Sequence, residues 1–165
     1  LGEAFVFSVR VCFEISTDWE HLEVLITAGV ARATDAALAG ALDLVRGAPL
    51  ADAAPGQWLW AEEWRLEMVQ TIRDIGAELA RRRMAEGDLD GARRAVNRAL
   101  SACPQDEVLL TTQIRIAHLA DDRCETERLV YLLARQARRI GVDLSDETIT
   151  VLQEVMEGRP RTRVV

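Results

Sequence analysis

Lysine is absent from this chain: all 20 of its cationic residues are arginine. The Gly-rich phosphate-binding loop of nucleotide hydrolases needs a lysine, so that class of site is excluded. The formal net charge of −7 argues against a dedicated nucleic-acid binder, because phosphate contacts require a positive field. No apolar run is long enough to cross a bilayer, and no signal-peptide pattern is present. We therefore expect a cytoplasmic segment that makes no direct contact with nucleic acid or membrane.

Cysteine and histidine are too sparse to build a reactive site. The three cysteines form no Cys-x-x-Cys pair and are typical of reduced thiols in a cytoplasmic protein. The two histidines, His21 and His118, lie far apart without the spacing of metal ligands. No Gly-x-Ser-x-Gly motif marks a nucleophile. The sequence thus predicts no catalytic residue, no metal, no cofactor and no small-molecule substrate, so we expect a protein that is not an enzyme.

One strand is predicted at the start of the chain, in residues 5–15. Every second residue there is apolar, and this period of two indicates a strand with one buried face. A lone strand leaves its backbone groups unpaired. It therefore pairs with a segment outside this chain, pairs with a second copy, or packs as an arm along its own helices. The residues predicted to mediate self-association are Phe5, Phe7, Val9, Val11 and Phe13.

The rest of the chain predicts an all-α fold. Few Gly and Pro residues interrupt a composition rich in Ala, Leu and Arg, which favours helices. Apolar periodicity and capping residues indicate about seven helices joined by short connections, hence an antiparallel array. We expect helices from residue 18, over 35–45, 57–86, 89–102, 105–119 and 124–140, and from residue 146. The predicted domain limits are an arm at 1–15, a helical domain at 16–158 and a flexible tail at 159–165.

The stretch from residue 87 to 104 carries the strongest pattern. A Gly-Asp turn precedes alanines spaced by three and four, and a proline ends the stretch. Small residues at that spacing lie on one helix face and let it press closely against the preceding helix. Within a 34-residue period over 73–106, this pattern is typical of the second half of a tetratricopeptide-type helix pair. The pattern residues are Gly87, Ala92, Ala95, Val96, Ala99 and Pro104. In the next period, Asp121-Asp122 replaces the Gly-containing turn and Thr126 stands where Ala is expected.

Four segments occur in a fixed order along the chain. Asp18-Trp19 opens the first helix, residues 41–50 read ALDLVRGAPL, Trp60-Ala61-Glu62 follows, and residues 140–145 read IGVDLS. Taken together, they resemble the bacterial transcriptional activator domain of the Streptomyces antibiotic regulatory protein family, in which the second segment reads ALxLWRGxPL and the last ELGxxPSxE. Departures include Asp121-Asp122 in the family's GRxxEA turn. Typical activators also carry an N-terminal winged-helix domain, which is not found within residues 1–165.

This resemblance implies a non-enzymatic regulatory domain that binds a protein partner or a second copy through its surface. Because the chain begins at Leu1 rather than Met, we expect a piece of a longer protein or a trimmed chain. The resemblance further implies a C-terminal piece, because the helical module ends a long protein in some architectures of the family. The alternative is a dimerisation module of a larger multidomain protein, LysM-containing or membrane-anchored, with no direct role in transcription.

Candidate partner-binding residues are one aromatic and two cations. Trp58 is expected to be exposed, because it falls on a different face from Trp60 and Trp64, which are predicted to be buried against the first two helices. Arg81 and Arg82 can meet an acidic partner. The plainer interpretation is that they complement the negative end of their own helix.

Overall fold

The computed structural model describes residues 17–51 and 58–157, and those residues form seven α-helices with no β-strand. A single 3-10 turn, Leu59–Ala61, precedes the third helix. This confirms an all-helical fold for the described part. The predicted strand at 5–15 and the tail at 159–165 lie outside it. The helices are α1 (Asp18–Leu25), α2 (Asp35–Asp43), α3 (Glu62–Glu86), α4 (Leu89–Ala102), α5 (Glu107–Leu119), α6 (Arg123–Ile140) and α7 (Asp146–Met156).

Short polar side chains fix where most of these helices begin. In six of the seven described helices, the residue before the first turn is Ser, Thr or Asp, and its side-chain oxygen accepts a backbone N–H of that turn. Such caps satisfy donors that have no partner inside the helix. The exception is α3, where Ala61 provides no side-chain cap. The predicted start of this helix at residue 57 is therefore wrong: α3 begins at Glu62, after the 3-10 turn.

Two turns of the chain have the same hydrogen-bond pattern 34 residues apart. The first joins α3 to α4, where the Gly87 and Asp88 amides donate to the Met84 and Arg83 carbonyls. The second joins α5 to α6, where the Asp121 and Asp122 amides donate to the His118 and Ala117 carbonyls. Gly87 has a φ of 83°, and Asp121 has a φ of 57°. The backbone thus repeats where the sequence pattern is lost.

Two hydrophobic cores share α5. The larger core joins α1 to α5, and its centre includes the fully buried Leu38, Ile75 and Val96. The smaller core joins α5, α6 and α7 around Ile114 and Leu133. Both cores keep apolar side chains from water on opposite sides of one helix, so α5 links the two halves of the described structure.

Helices α3 and α4 pack closely against each other in the larger core. A Cβ placed on Gly76 of α3 would lie 2.4 Å from the Ala99 Cβ of α4. The predicted small residues of α4 are buried, with Ala92, Val96 and Ala99 fully excluded from solvent and Ala95 4% exposed. The prediction that alanines let this helix press closely on the preceding one is confirmed.

Candidate interaction surface

All four tryptophans of the chain lie near the start of α1 or the start of α3. Trp58 is 40% exposed, Trp60 76% and Trp64 57%. The rings of Trp58 and Trp60 lie with centroids 6.4 Å apart, tilted by 30°. Trp58 is exposed as predicted. The expectation that Trp60 and Trp64 are buried against the first two helices is wrong. Trp60 belongs to the 3-10 turn rather than to the buried stripe of α3, and Trp64 stands at the edge of a groove.

Exposed leucines accompany these aromatics. Leu59 is 75% exposed and Leu66 54%. Leu66 points about 200° around α3 from Trp64, so we call only Trp58, Leu59, Trp60 and Trp64 the tryptophan surface. The sequence itself indicates that some of these side chains are exposed. Three consecutive large apolar residues at 58–60 cannot all face one core, because neighbouring helical residues point about 100° apart.

A groove of about 720 Å³ lies beside the tryptophan surface, between α1, the segment 44–50 and α3. We call it the α1–α3 groove. Its floor is apolar and includes the buried Leu22, Val45 and Ile72. Its rim carries Asp18 and Arg46, whose Nε lies 3.4 Å from an Asp18 oxygen. The remaining lining residues are Thr17, Trp19, Glu20, Glu23, Leu44, Gly47, Ala48, Pro49, Leu50, Trp64, Met68.

Local hydrogen bonds fix the direction in which the chain meets this groove. The Thr17 hydroxyl oxygen accepts the Glu20 amide at 3.2 Å, and the Thr17 amide donates to a Glu20 carboxylate oxygen at 2.7 Å. This reciprocal capping box holds the start of α1 in one conformation. The residue before α1 therefore lies at the groove in a defined orientation.

Two further grooves have more polar linings. One, of about 610 Å³, lies between α2, α3 and α4 and is lined in part by Arg83, Arg94 and Arg98. The other, of about 940 Å³, lies where α5, α6 and α7 meet, and includes His118 and Tyr131. Neither contains a tryptophan.

The two candidate arginines differ in what their guanidinium groups contact. The side chain of Arg81 is 66% exposed and pairs with Glu78 at 2.8 Å. The side chain of Arg82 is 20% exposed and donates to the Ala33 and Ala31 carbonyls at 2.7 and 2.9 Å. It also pairs with Asp35 at 3.0 Å. Arg82 thus joins α3 to the start of α2, and Arg81 alone of the two presents its charge outward.

Ion pairing shifts the ionisation of Glu78. Hydrogen bonds from Arg81, and then from Arg82, stabilise its carboxylate and outweigh partial desolvation, lowering the pKa of Glu78 to about 2. The ionised carboxylate of Glu78 pairs with two guanidinium groups and so offsets part of their positive charge on α3. We read this cluster as part of the scaffold rather than as a reactive acid.

Chemistry-bearing residues are dispersed across the described structure. Within residues 17–51 and 58–157, no group of three or more His, Cys, Asp or Glu residues could hold a metal ion. Burial raises the pKa of the Cys103 thiol to about 11, which keeps it protonated. Across the same ranges, no helix combines the length and the apolar character that a membrane span requires.

No family model, curated protein or solved structure matches this chain. The likeness to the bacterial transcriptional activator domain therefore depends on the sequence segments described above. One of them, residues 41–50, contains the whole of the segment 44–50 that lines the α1–α3 groove.

Proposed function

We propose that this chain is a non-enzymatic protein-interaction domain of a bacterial transcriptional regulator, built from tetratricopeptide-like stacked helix pairs. The tryptophan surface is the observation that carries the proposal. Burying large aromatic and aliphatic side chains away from water is energetically favourable, and tryptophan is enriched among the residues that dominate binding energy. A cluster of such side chains exposed to water is typical of a surface that binds a partner.

The repeated turn supports the helix-pair part of the proposal. The two turns lie 34 residues apart and share one hydrogen-bond pattern. Each is followed by a helix that an Asp residue caps and that buries a small residue, Ala92 in α4 and Thr126 in α6. The period matches that of tetratricopeptide repeats. Such repeats bury their apolar faces on their neighbours and offer the remaining surface for recognition.

The regulatory part of the proposal comes from the family resemblance. The segment similar to ALxLWRGxPL contributes to both the core and the surface. Ala41, Leu42 and Val45 are buried, whereas Pro49 and Leu50 line the α1–α3 groove. The segment with the family likeness thus adjoins the tryptophan surface. The resemblance suggests a component of the transcription machinery as the partner, and the placement of the segment suggests that the partner binds at this end of the molecule.

A tethered reporter tests the proposal. Residues 1–165 are fused to a heterologous DNA-binding domain, its operator is placed upstream of a weak promoter in a Streptomyces host, and transcript is measured. We expect the fusion to change transcript several-fold, and the change to be lost with Leu59→Ala/Trp60→Ala. Tyr131→Ala is the matched control, because Tyr131 is 62% exposed on α6. An abundant, folded fusion without effect, or an effect that the double variant retains, contradicts the proposal.

Light scattering on the same variants tests the alternative of a dimerisation module. A dimer that dissociates in Leu59→Ala/Trp60→Ala, together with an inactive reporter fusion, would favour that alternative. A monomer with an active reporter fusion supports recognition of a different protein.

A further inference from the structure

We propose that the groove between α2, α3 and α4 binds an acidic amphipathic helix of a protein partner, whose carboxylates pair with Arg94 and Arg98. This α2–α4 groove has a volume of about 610 Å³ and shares no described lining residue with the α1–α3 groove. Its described lining residues fall between Ala39 and Asp43 and between Leu79 and Ser101, so each lies well inside a described segment. The contact goes beyond the proposed function, which places recognition at the tryptophan surface.

The arginines of α4 lack the carboxylate partners that the arginines of α3 have. Each of the five arginines of α3 forms an ion pair at 2.6–3.5 Å. Within the described structure, Arg93, Arg94 and Arg98 of α4 form none. The chain is not short of carboxylates, because acidic residues outnumber basic ones by 27 to 20. The exposed Arg94 and Arg98 thus line a groove with their charge uncompensated by a neighbouring acid.

The carboxylates that line the same groove leave this charge in place. One oxygen of Asp88 accepts the Gly91 amide at 2.8 Å, and the other lies 3.7 Å from a nitrogen of Arg83. Asp88 is therefore already engaged within the fold. Asp43, the last residue of α2, lies on a different wall from the arginines of α4. The two walls differ in charge, so a helix with acidic side chains along one edge suits the groove better than an evenly charged polyanion such as nucleic acid.

The spacing of the two arginines favours a helical ligand. Arg94 and Arg98 are four residues apart in α4, and side chains at that spacing start about 5–6 Å apart on one face of a helix. Carboxylates four residues apart on a partner helix have the same separation, and each can accept two hydrogen bonds from one guanidinium. Parallel helices of this kind can therefore form both ion pairs at once.

The floor of the groove suits the apolar face of such a helix. Its residues include Leu42, Leu79 and Ala95, which are 3–5% exposed. Amphipathic helices commonly bind by laying an apolar face into a groove of this kind. Because the floor has little surface left to bury, we expect the two arginines to decide which helix binds. Their attraction is screened by salt, so affinity should fall as ionic strength rises.

Binding of a synthetic helix to residues 1–165 gives the first test. The probe is a fluorescein-labelled peptide of about 18 residues, roughly five turns, with a leucine stripe and glutamates four residues apart along one edge. A second peptide carries glutamine for each glutamate. By fluorescence anisotropy, we expect the glutamate peptide to bind at least about tenfold more tightly, because two charge-assisted pairs are at stake. Arg94→Gln/Arg98→Gln should remove this preference.

The matched control removes the same charge at the same spacing from another helix. Arg135 and Arg139 of α6 are exposed, and neither forms an ion pair with a residue that the structure describes. Arg135→Gln/Arg139→Gln should keep the preference for the glutamate peptide. An equal loss in both double variants would show attraction to the overall charge, and a wild-type chain without preference would show that no such site exists. Either result overturns the proposal.

Charge reversal gives a second test that a misfolded variant cannot pass. Arg94→Glu/Arg98→Glu is titrated with a peptide in which lysine replaces each glutamate. We expect this pair to bind at least about tenfold more tightly than the variant binds the glutamate peptide. A variant with wild-type circular dichroism that binds neither peptide would contradict direct pairing at these two positions.

Other occupants of the groove would give different results. A duplex oligonucleotide that binds through Arg94 and Arg98 more tightly than the glutamate peptide would identify nucleic acid as the ligand. A dimer that dissociates in Arg94→Gln/Arg98→Gln, measured by light scattering, would identify a second copy. Either outcome overturns the assignment of a separate acidic helix. The reporter experiment with Leu59→Ala/Trp60→Ala tests the tryptophan surface, so the two proposals can fail independently.

Discussion

The close approach of α3 and α4 predicts that one substitution has opposite effects at two glycines. Gly76→Ala adds a methyl group whose carbon would lie 2.4 Å from the Ala99 Cβ, well inside the optimal carbon–carbon separation of about 3.5–4.0 Å. Gly40→Ala adds the same methyl group in α2, where the nearest atom is a Leu25 methyl carbon at 3.6 Å. The second contact is ordinary, whereas the first requires the helices to move.

The magnitudes follow from two opposing terms. Alanine is favoured over glycine in a helix interior by about 1 kcal/mol, and overpacking of a core costs about 1–3 kcal/mol. We expect Gly40→Ala to raise the free energy of unfolding by up to about 1 kcal/mol. Gly76→Ala should lower it by up to about 2 kcal/mol, because the cost of overpacking exceeds the gain in helix propensity, and Tm should fall by up to roughly 8 °C for a chain of this size.

Urea unfolding monitored by helical circular dichroism measures both changes. A second substitution, Ala99→Gly, isolates the clash, because it removes the methyl group that Gly76→Ala would strike. The Gly76→Ala/Ala99→Gly variant should be more stable than the sum of the single effects predicts, by at least about 1 kcal/mol. Additive effects, or stabilisation by Gly76→Ala equal to that by Gly40→Ala, would refute the close packing.

Three further predictions concern single side chains. Asp121→Gly should stabilise the fold by about 0.5–1 kcal/mol, because Asp121 holds a left-handed φ of 57° that costs other residues energy; thermal unfolding measures it. Arg82→Met should speed amide hydrogen exchange in residues 29–38, since Arg82 binds the carbonyls of that turn, whereas Arg81→Met should not. At pH 8 the native Cys103 thiol should resist a disulfide reagent that modifies Cys124, because a pKa of about 11 leaves about one thiol in a thousand ionised; resistance should fade as the pH rises toward that value.

Matched variants make these predictions decisive. Gly87→Ala, at the equivalent turn, should destabilise by about 1 kcal/mol, so a rise in Tm there would contradict the role given to backbone handedness. Exchange in 29–38 that Arg81→Met accelerates as much as Arg82→Met would remove the distinction between the two arginines. The thiol assay uses a Cys12→Ser background, and rapid native modification of Cys103 would show that its burial is incomplete.

Local rules predicted the helices and the close alanine face well. The limits predicted for α4, 89–102, agree with the structure, because Asp88 caps one end and the alanines set the period. The sequence could not show which of Arg81 and Arg82 contacts the rest of the fold. Their side chains point about 100° apart because they are adjacent in a helix. Which of them reaches backbone carbonyls depends on where the turn after α1 lies in the folded structure. The exposure of Trp60 and Trp64 also depended on tertiary structure, since periodicity assigns residues to a face but does not reveal whether another helix covers it.

Unequal helix lengths explain why the candidate surface lies at the start of α3. With 25 residues, α3 is roughly 37 Å long, whereas α2 with nine residues spans about 14 Å and α4 with 14 residues about 21 Å. Gly76, in the second half of α3, is where α4 packs closely. The first turns of α3 therefore extend past the helix that packs most extensively on it among the described residues. Apolar side chains placed on those turns, Trp64 and Leu66, stay exposed. A long helix beside shorter ones thus leaves apolar side chains of its first turns outside the core, which is the physical basis for the proposal that a partner binds at this end of the molecule.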